Sequence, residues 1–156
     1  MFTGIIEEVG VIREILTNLD GLEIEIDASL VLSDLKVNDS ISCSGICLTV
    51  TKLERKSFKV QLVQETLKKT NAKNWVPGYS INLERALLPT SRMGGHIVQG
   101  HIDTVVKIKD MTFDDKSAVW RFELKKDIKR YLVKKGSICL DGISLTIADK
   151  TETDFS

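Results

Sequence analysis

Polar and apolar residues alternate along much of this chain with the period of a β-strand. Leu22-Glu23-Ile24-Glu25-Ile26-Asp27 alternates strictly and predicts a half-buried strand. Residues 4–16 (GIIEEVGVIREIL) are rich in β-branched side chains and alternate imperfectly, which predicts a strand kinked at Gly10. Asn18-Leu19-Asp20-Gly21 then supplies turn chemistry. Further strands are expected within 40–53, as two segments joined near Gly45, at Ser57 to Val63, and at Ile81 to Glu84 after a Pro77-Gly78 turn. Over these first residues helical character is limited to 29–35, with Ser29 as a possible N-cap, and to Glu65 to Thr70. Short strands without a strand–helix–strand rhythm predict a small antiparallel barrel, not a parallel α/β unit.

After Met93-Gly94-Gly95-His96-Ile97-Val98-Gln99-Gly100-His101 the pattern restarts. Ile102 to Ile108 and Val119 to Leu124 read as strands, and Asp127 to Leu132 as a capped short helix. Gly45-Ile46-Cys47-Leu48-Thr49-Val50 returns 97 positions later as Gly142-Ile143-Ser144-Leu145-Thr146-Ile147. At that displacement residues 35–59 align with 132–156 without a gap and agree at eight of 25 positions. Composition alone would give roughly one or two. Ile5 falls opposite Ile102 at the same displacement. The chain is therefore expected to be all-β, a tandem duplication with an N-terminal domain at 1–96 and a C-terminal one at 97–156. The second copy stops at Ser156, opposite Lys59, without counterparts of residues 60–87. The expectation is a portion of something longer, with an open edge and uncovered core side chains in the second copy.

Composition removes several function classes. Hydrophobic content of 42% and charged content of 28% describe a soluble globular protein. The 22 basic residues balance the 22 acidic ones, so no electrostatic footprint for nucleic acid or anionic lipid is present. No apolar run approaches the ~20 residues of a membrane span, and Met1-Phe2-Thr3-Gly4 does not open a signal peptide. Cys43, Cys47 and Cys139 form no CxxC pair, and His96 and His101 lie five apart, so no metal site is expected. Reduced thiols and a cytoplasmic location follow most simply.

Among chemistry-bearing residues, Cys47 reads either as a small buried hydrophobe or as a thiol at the barrel mouth. Its counterpart Ser144, small and polar, favours the second reading. Thr49 and Thr146 are strand formers, or hydroxyls placed to bind similar parts of two similar ligands. His101, after Gly100, suits proton transfer near neutral pH, with His96 the weaker candidate. The glycines at 94, 95 and 100 lack GxGxxG spacing and do not open a helix, which argues against dinucleotide binding.

Met1-Phe2-Thr3-Gly4-Ile5, Gly45-Ile46-Cys47-Leu48-Thr49-Val50, Glu65-Thr66-Leu67, Gly94-Gly95-His96 with Gly100-His101-Ile102, and Asp141-Gly142-Ile143-Ser144-Leu145-Thr146 together resemble riboflavin synthase of the α-chain type. The resemblance spans the chain. It implies two six-stranded antiparallel Greek-key barrels, a homotrimer held by a C-terminal helix, and a transferase needing neither metal nor organic cofactor. The implied reaction is a dismutation: two molecules of 6,7-dimethyl-8-ribityllumazine exchange a four-carbon unit, giving riboflavin and 5-amino-6-ribitylamino-uracil.

By position, the resemblance implies a first pocket from Gly4, Ile5 and Ile6, then Cys47, Leu48 and Thr49, then Gln61, Leu62, Val63, Gln64, Glu65 and Thr66. It implies a second from Gly100, His101, Ile102, Ser144, Leu145 and Thr146, with Lys135 from a neighbouring chain. Phe2, Cys47, His101 and Ser144 resemble the positions tied to turnover. The competing reading is a non-catalytic lumazine-binding module of the same fold, against which Thr3, His101, Ser144 and Thr146 fit the enzyme pattern.

Overall fold

The strict alternation at residues 22–27 becomes a strand whose isoleucines, Ile24 and Ile26, are fully buried. A computed structural model describes all 156 residues. Its strands and α-helix as far as residue 85 are β1 (Glu8–Asn18), β2 (Gly21–Asp27), β3 (Ser40–Cys43), β4 (Ile46–Leu53), β5 (Ser57–Val63), the short helix α1 (Gln64–Lys69) and β6 (Ser80–Arg85). The six strands close into an antiparallel barrel in the order β1-β2-β5-β4-β3-β6, with β6 returning to pair with β1. Non-sequential neighbours make it a Greek key. Closure leaves the barrel without a free edge.

Inward positions of every strand meet in one core: Ile12, Ile24, Ile26, Ile41, Val50, Phe58, Val60, Leu62, Ile81 and Leu83 are all essentially inaccessible. Cross-strand neighbours such as Ile24–Val60 and Ile26–Phe58 lie in register. Each such side chain contributes ~1.5–3 kcal/mol on burial. Val31, Leu35, Ala72 and Trp75, from the loops, complete the core.

Some local expectations are corrected. The first strand begins at Glu8, not at residue 4, because Phe2 leaves to bridge Val98. Its irregularity falls between Ile12 and Glu14 instead of at Gly10. Gly10 pairs regularly with Ile81, and its missing side chain makes room for Leu83, whose Cδ1 would sit 2.6 Å from a Cβ. The expected helix at 29–35 is only a 3-10 turn, Val31–Ser33, uncapped by Ser29. The Glu8 carboxylate accepts the amides of Ser29 and Val31 instead, which ties the turn to β1.

Contacts divide the chain into one unit comprising Met1–Ile102 with Cys139–Ser144, and another comprising Asp103–Ile138 with Leu145–Ser156. The remaining strands are β7 (Ile108–Phe113), β8 (Ala118–Glu123), β9 (Ser137–Leu140), β10 (Ile143–Thr146) and β11 (Asp154–Phe155). Strands β11, β8 and β7 form a sheet, with Phe122 stacked on Phe155 at 5.2 Å. Every residue of β7 is exposed, and Trp120 and Phe113 stand open to solvent. Residues 102–107, expected as strand, carry no regular structure, and Asp127 to Leu132 forms turns instead of a helix. Asp127 Oδ1 caps only the next amide, Ile128, so the turn does not propagate.

Candidate functional site

The two copies of the hexapeptide are both hairpins, and both turn in the same way. Ser44 (φ 46°) and Gly45 (φ 86°) open β4, while Asp141 (φ 47°) and Gly142 (φ 86°) open β10. Two successive positive φ values define the tight hairpin turn whose twist matches its strands, and glycine is the residue that accepts the second position. The turns lie back to back. Asn82 on β6 joins them: its carbonyl accepts the Ser44 amide at 2.7 Å, and its Nδ2 donates to the Asp141 carbonyl at 3.0 Å.

Each strand that follows a turn receives a carbonyl from a distant glycine. The Cys47 amide donates to the Gly100 carbonyl at 2.9 Å, and the Ser144 amide to the Gly4 carbonyl at 2.7 Å. Gly4 (φ 77°) and Gly100 (φ 82°) have nearly the same backbone conformation. A Cβ on Gly4 would stand 2.7 Å from Ser144 Cβ, and one on Gly100 would stand 2.6 Å from Cys47 Cβ. Only glycine permits either approach. Phe2 and Val98 exchange both backbone hydrogen bonds, at 2.7 and 3.0 Å, and complete the reciprocal pattern.

This regroups the residues expected from the sequence. Gly4, Ile5 and Ile6 belong with Ser144, not Cys47; Ile6 Cδ1 lies 3.3 Å from where a Gly142 Cβ would be. Gly100, His101 and Ile102 belong with Cys47, and Ile102 packs on the barrel core. The reciprocal pairs Phe2–Val98 and Gly4–Gly100 also show that the leading segments match at a displacement of 96, so Ile5 corresponds to His101, and Ile6 to Ile102. The equivalence of Ile5 with Ile102 is thereby corrected.

Strand geometry sorts the remaining candidates. Leu48 and Val50 point into the core, so Cys47 and Thr49 face outward, Cys47 half-buried and Thr49 exposed. Leu62 is a core residue, with Gln61 and Val63 on the opposite, open face. Gln64 and Glu65 begin α1 in the open, and Glu65 pairs with Lys69 at 2.9 Å, which lowers its pKa. Thr66 is half-buried, its carbonyl accepting the Thr70 hydroxyl. His101 is exposed, and Phe2 is buried. Lys135, Leu145 and Thr146, all exposed, lie in the second unit; Lys135 has φ 68°, and its amide donates to the Ile147 carbonyl at 2.8 Å.

Ser144 has a partner that the sequence underrated. His96 Nδ1 lies 2.7 Å from Ser144 Oγ, so the weaker of the two histidines is the one that meets the hydroxyl. The contact arises because the His96 amide donates to the Thr3 carbonyl at 3.0 Å, and because Gly95, where a Cβ would lie 2.1 Å from that carbonyl, lets the loop pass. The Gly94-Gly95-His96 run was the available signal. A hydroxyl bonded to an imidazole is an arrangement suited to moving a proton. The other two thiols are less reactive by burial: desolvation pushes Cys43 well up and Cys139 up to about 11.

A family profile described as the lumazine binding domain matches residues 3–86 and again 99–156. The chain is 41% identical to riboflavin synthase of Actinobacillus pleuropneumoniae, across 99% of this chain and 72% of that one. It is 41% identical to riboflavin synthase of Schizosaccharomyces pombe, across 100% and 76%, and 42% identical to that of Bacillus subtilis, across 97% and 71%. Its fold superposes on the crystal structure of LumP complexed with riboflavin at a TM-score of 0.91 and 20% identity, covering 99% of this chain and 84% of that one. Matched twice by one domain profile and alike along nearly its whole length to these enzymes, the chain belongs to the riboflavin synthase family.

Proposed function

We propose that the protein catalyses the riboflavin synthase reaction, transferring a four-carbon unit between two identical 6,7-dimethyl-8-ribityllumazines. The observation that carries this reading is the reciprocal pairing of Gly4 with Ser144 and Gly100 with Cys47, two like half-sites for two like substrates. The first half-site comprises Cys47, Thr49, the open face of Gln61 to Thr66, and Gly100 to Ile102. The second comprises Ser144 with Gly4 to Ile6, while Lys135, Leu145 and Thr146 are assigned as ligand contacts on the resemblance alone.

The half-sites differ in their reactive atom, a thiol in one and a hydroxyl in the other. Matched substrates with different fates, one donor and one acceptor, require such a difference. His101 is assigned to proton removal from the C7 methyl of a lumazine. Ser144, hydrogen-bonded to His96, delivers the nucleophile, and Cys47 contacts the opposite lumazine. Phe2 holds the leading segment by its bridge to Val98. Orientation of two bound substrates is worth ~7–11 kcal/mol in favourable cases. The division into lumazine-binding domains at 1–96 and 97–156, the homotrimer and the cytoplasmic location belong to the same reading. No helix is long and apolar enough to cross a membrane.

The test is incubation with 6,7-dimethyl-8-ribityllumazine, following products by absorbance and chromatography. Formation of riboflavin and the uracil in equal amounts supports the assignment. Tight binding with lumazine unchanged would establish the non-catalytic binding module instead.

A further inference from the structure

We propose that Glu84 is a positioning residue for the Ser144 half-site, an inference that rests on the reaction assigned above. Glu84 lies on β6 between core strands, yet its side chain points away from the core, as the alternation with Leu83 requires. It is nevertheless only 5% exposed. A carboxylate is left in such a place only when its oxygens are filled. They are. Oε1 accepts the Thr3 amide at 2.6 Å and the Thr3 hydroxyl at 2.7 Å, and Oε2 accepts the Gly4 amide at 2.9 Å.

The consequence lies on the other side of those peptides. The peptide unit that gives Glu84 the Gly4 amide presents its carbonyl, that of Thr3, to the His96 amide at 3.0 Å. The next carbonyl, that of Gly4, takes the Ser144 amide at 2.7 Å. One carboxylate therefore sets the tilt of a peptide plane that holds His96, and anchors the residue that holds Ser144. The 2.7 Å contact between His96 Nδ1 and Ser144 Oγ closes the loop. Glycine at φ 77° is the residue freest to leave this orientation, and the Glu84 carboxylate is the side chain that holds its amide. All the hydrogen bonds of the Glu84 carboxylate go to Thr3 and Gly4 and none to Gly100 or Cys47, so its direct influence falls on one half-site.

Glu84→Gln in the full chain is the test. The amide keeps the size of the side chain but turns a donor toward a backbone N–H, which breaks the bidentate grip. Displacement of reacting groups by a fraction of an ångström lowers kcat roughly ten- to a hundredfold, with KM within about threefold because most ligand contacts survive. Amide hydrogen exchange, read by mass spectrometry, supplies a measure independent of turnover: exchange at residues 3–4, 96 and 144 accelerates, while that at Cys47 does not. Thr3→Val, which removes only the hydroxyl bond, gives a smaller change of the same kind. Unchanged exchange at Ser144, or equal loss of protection at Ser144 and Cys47, overturns the proposal. If the parent chain forms no riboflavin, the assigned reaction fails while the exchange pattern still decides the role of Glu84 as an anchor.

Discussion

Gly45 and Gly142 approach so closely that a Cβ on either would stand 2.8 Å from the backbone nitrogen of the other. Gly78 has the same φ of 86° but nothing within 4 Å of its missing Cβ. The three glycines separate two costs that normally come together. Alanine at 78 carries only the left-handed backbone penalty, ~1–2 kcal/mol. Alanine at 45 or 142 carries that penalty plus a backbone clash and is expected to cost at least about 2 kcal/mol more. Denaturant unfolding of the three variants measures the difference, and equal costs would mean that the turns do not need their contact.

His96 and Ser144 should behave as one unit. Each single alanine variant is expected to lower kcat by roughly 10²–10⁴, the range for a positioned proton-transfer group. The double variant should be no worse than the poorer single one, because the second loss removes a group already idle. Additive losses in steady-state kinetics would separate their roles. His101→Ala, which leaves the His96–Ser144 bond intact, should add to either.

The Glu7–Arg85 pair makes stability depend on acid. Arg85 grips Glu7 with Nε and Nη2 at 2.9 and 2.6 Å, and its hydrogen bonds hold the carboxyl below its ordinary 4.5. A depressed folded value means that the stabilisation is complete above the unfolded pKa and is lost as pH falls through the folded one. Glu7→Gln should therefore cost about 1–2 kcal/mol at neutral pH. The deficit should shrink steadily below about pH 4.5. Unfolding curves of both proteins between neutral pH and pH 3 check the convergence.

Thiol labelling should rank the cysteines. Cys43 is inaccessible and Cys139 has its thiol pushed up to about 11, so neither yields much thiolate near neutral pH. Iodoacetamide at pH 8 is expected to reach the half-buried Cys47 first, and a bound lumazine should slow that reaction. Peptide mapping gives the order directly. Faster labelling at Cys139, or no protection by lumazine, would move the thiol away from the ligand.

The pH, labelling and glycine predictions rest on features of unequal visibility. Ile24 and Ile26 announced a buried strand face because alternation is a local property, carried by the residues themselves. The kink did not show itself: Gly10 was the local signal, while the irregularity lies near Arg13, which reaches Glu25 and Asp27 across the strand pair. At 29–35, helical composition yielded to Glu8, a residue some twenty positions earlier that occupies the amides of Ser29 and Val31.

By itself the sequence determined that a β-domain is written twice, that the repeated hexapeptides carry Cys47 and Ser144 at matching positions, and which family the motifs resemble. Only the tertiary structure decided which leading segment serves which strand. Gly4 goes to Ser144 and Gly100 to Cys47, the reverse of chain order, and His96 and Glu84 join the Gly4–Ser144 pair. The reason is physical. Strand period and turn chemistry act over a few residues, whereas these partners are chosen by where a backbone carbonyl, an amide and the absence of a Cβ coincide across 48 to 140 positions of chain.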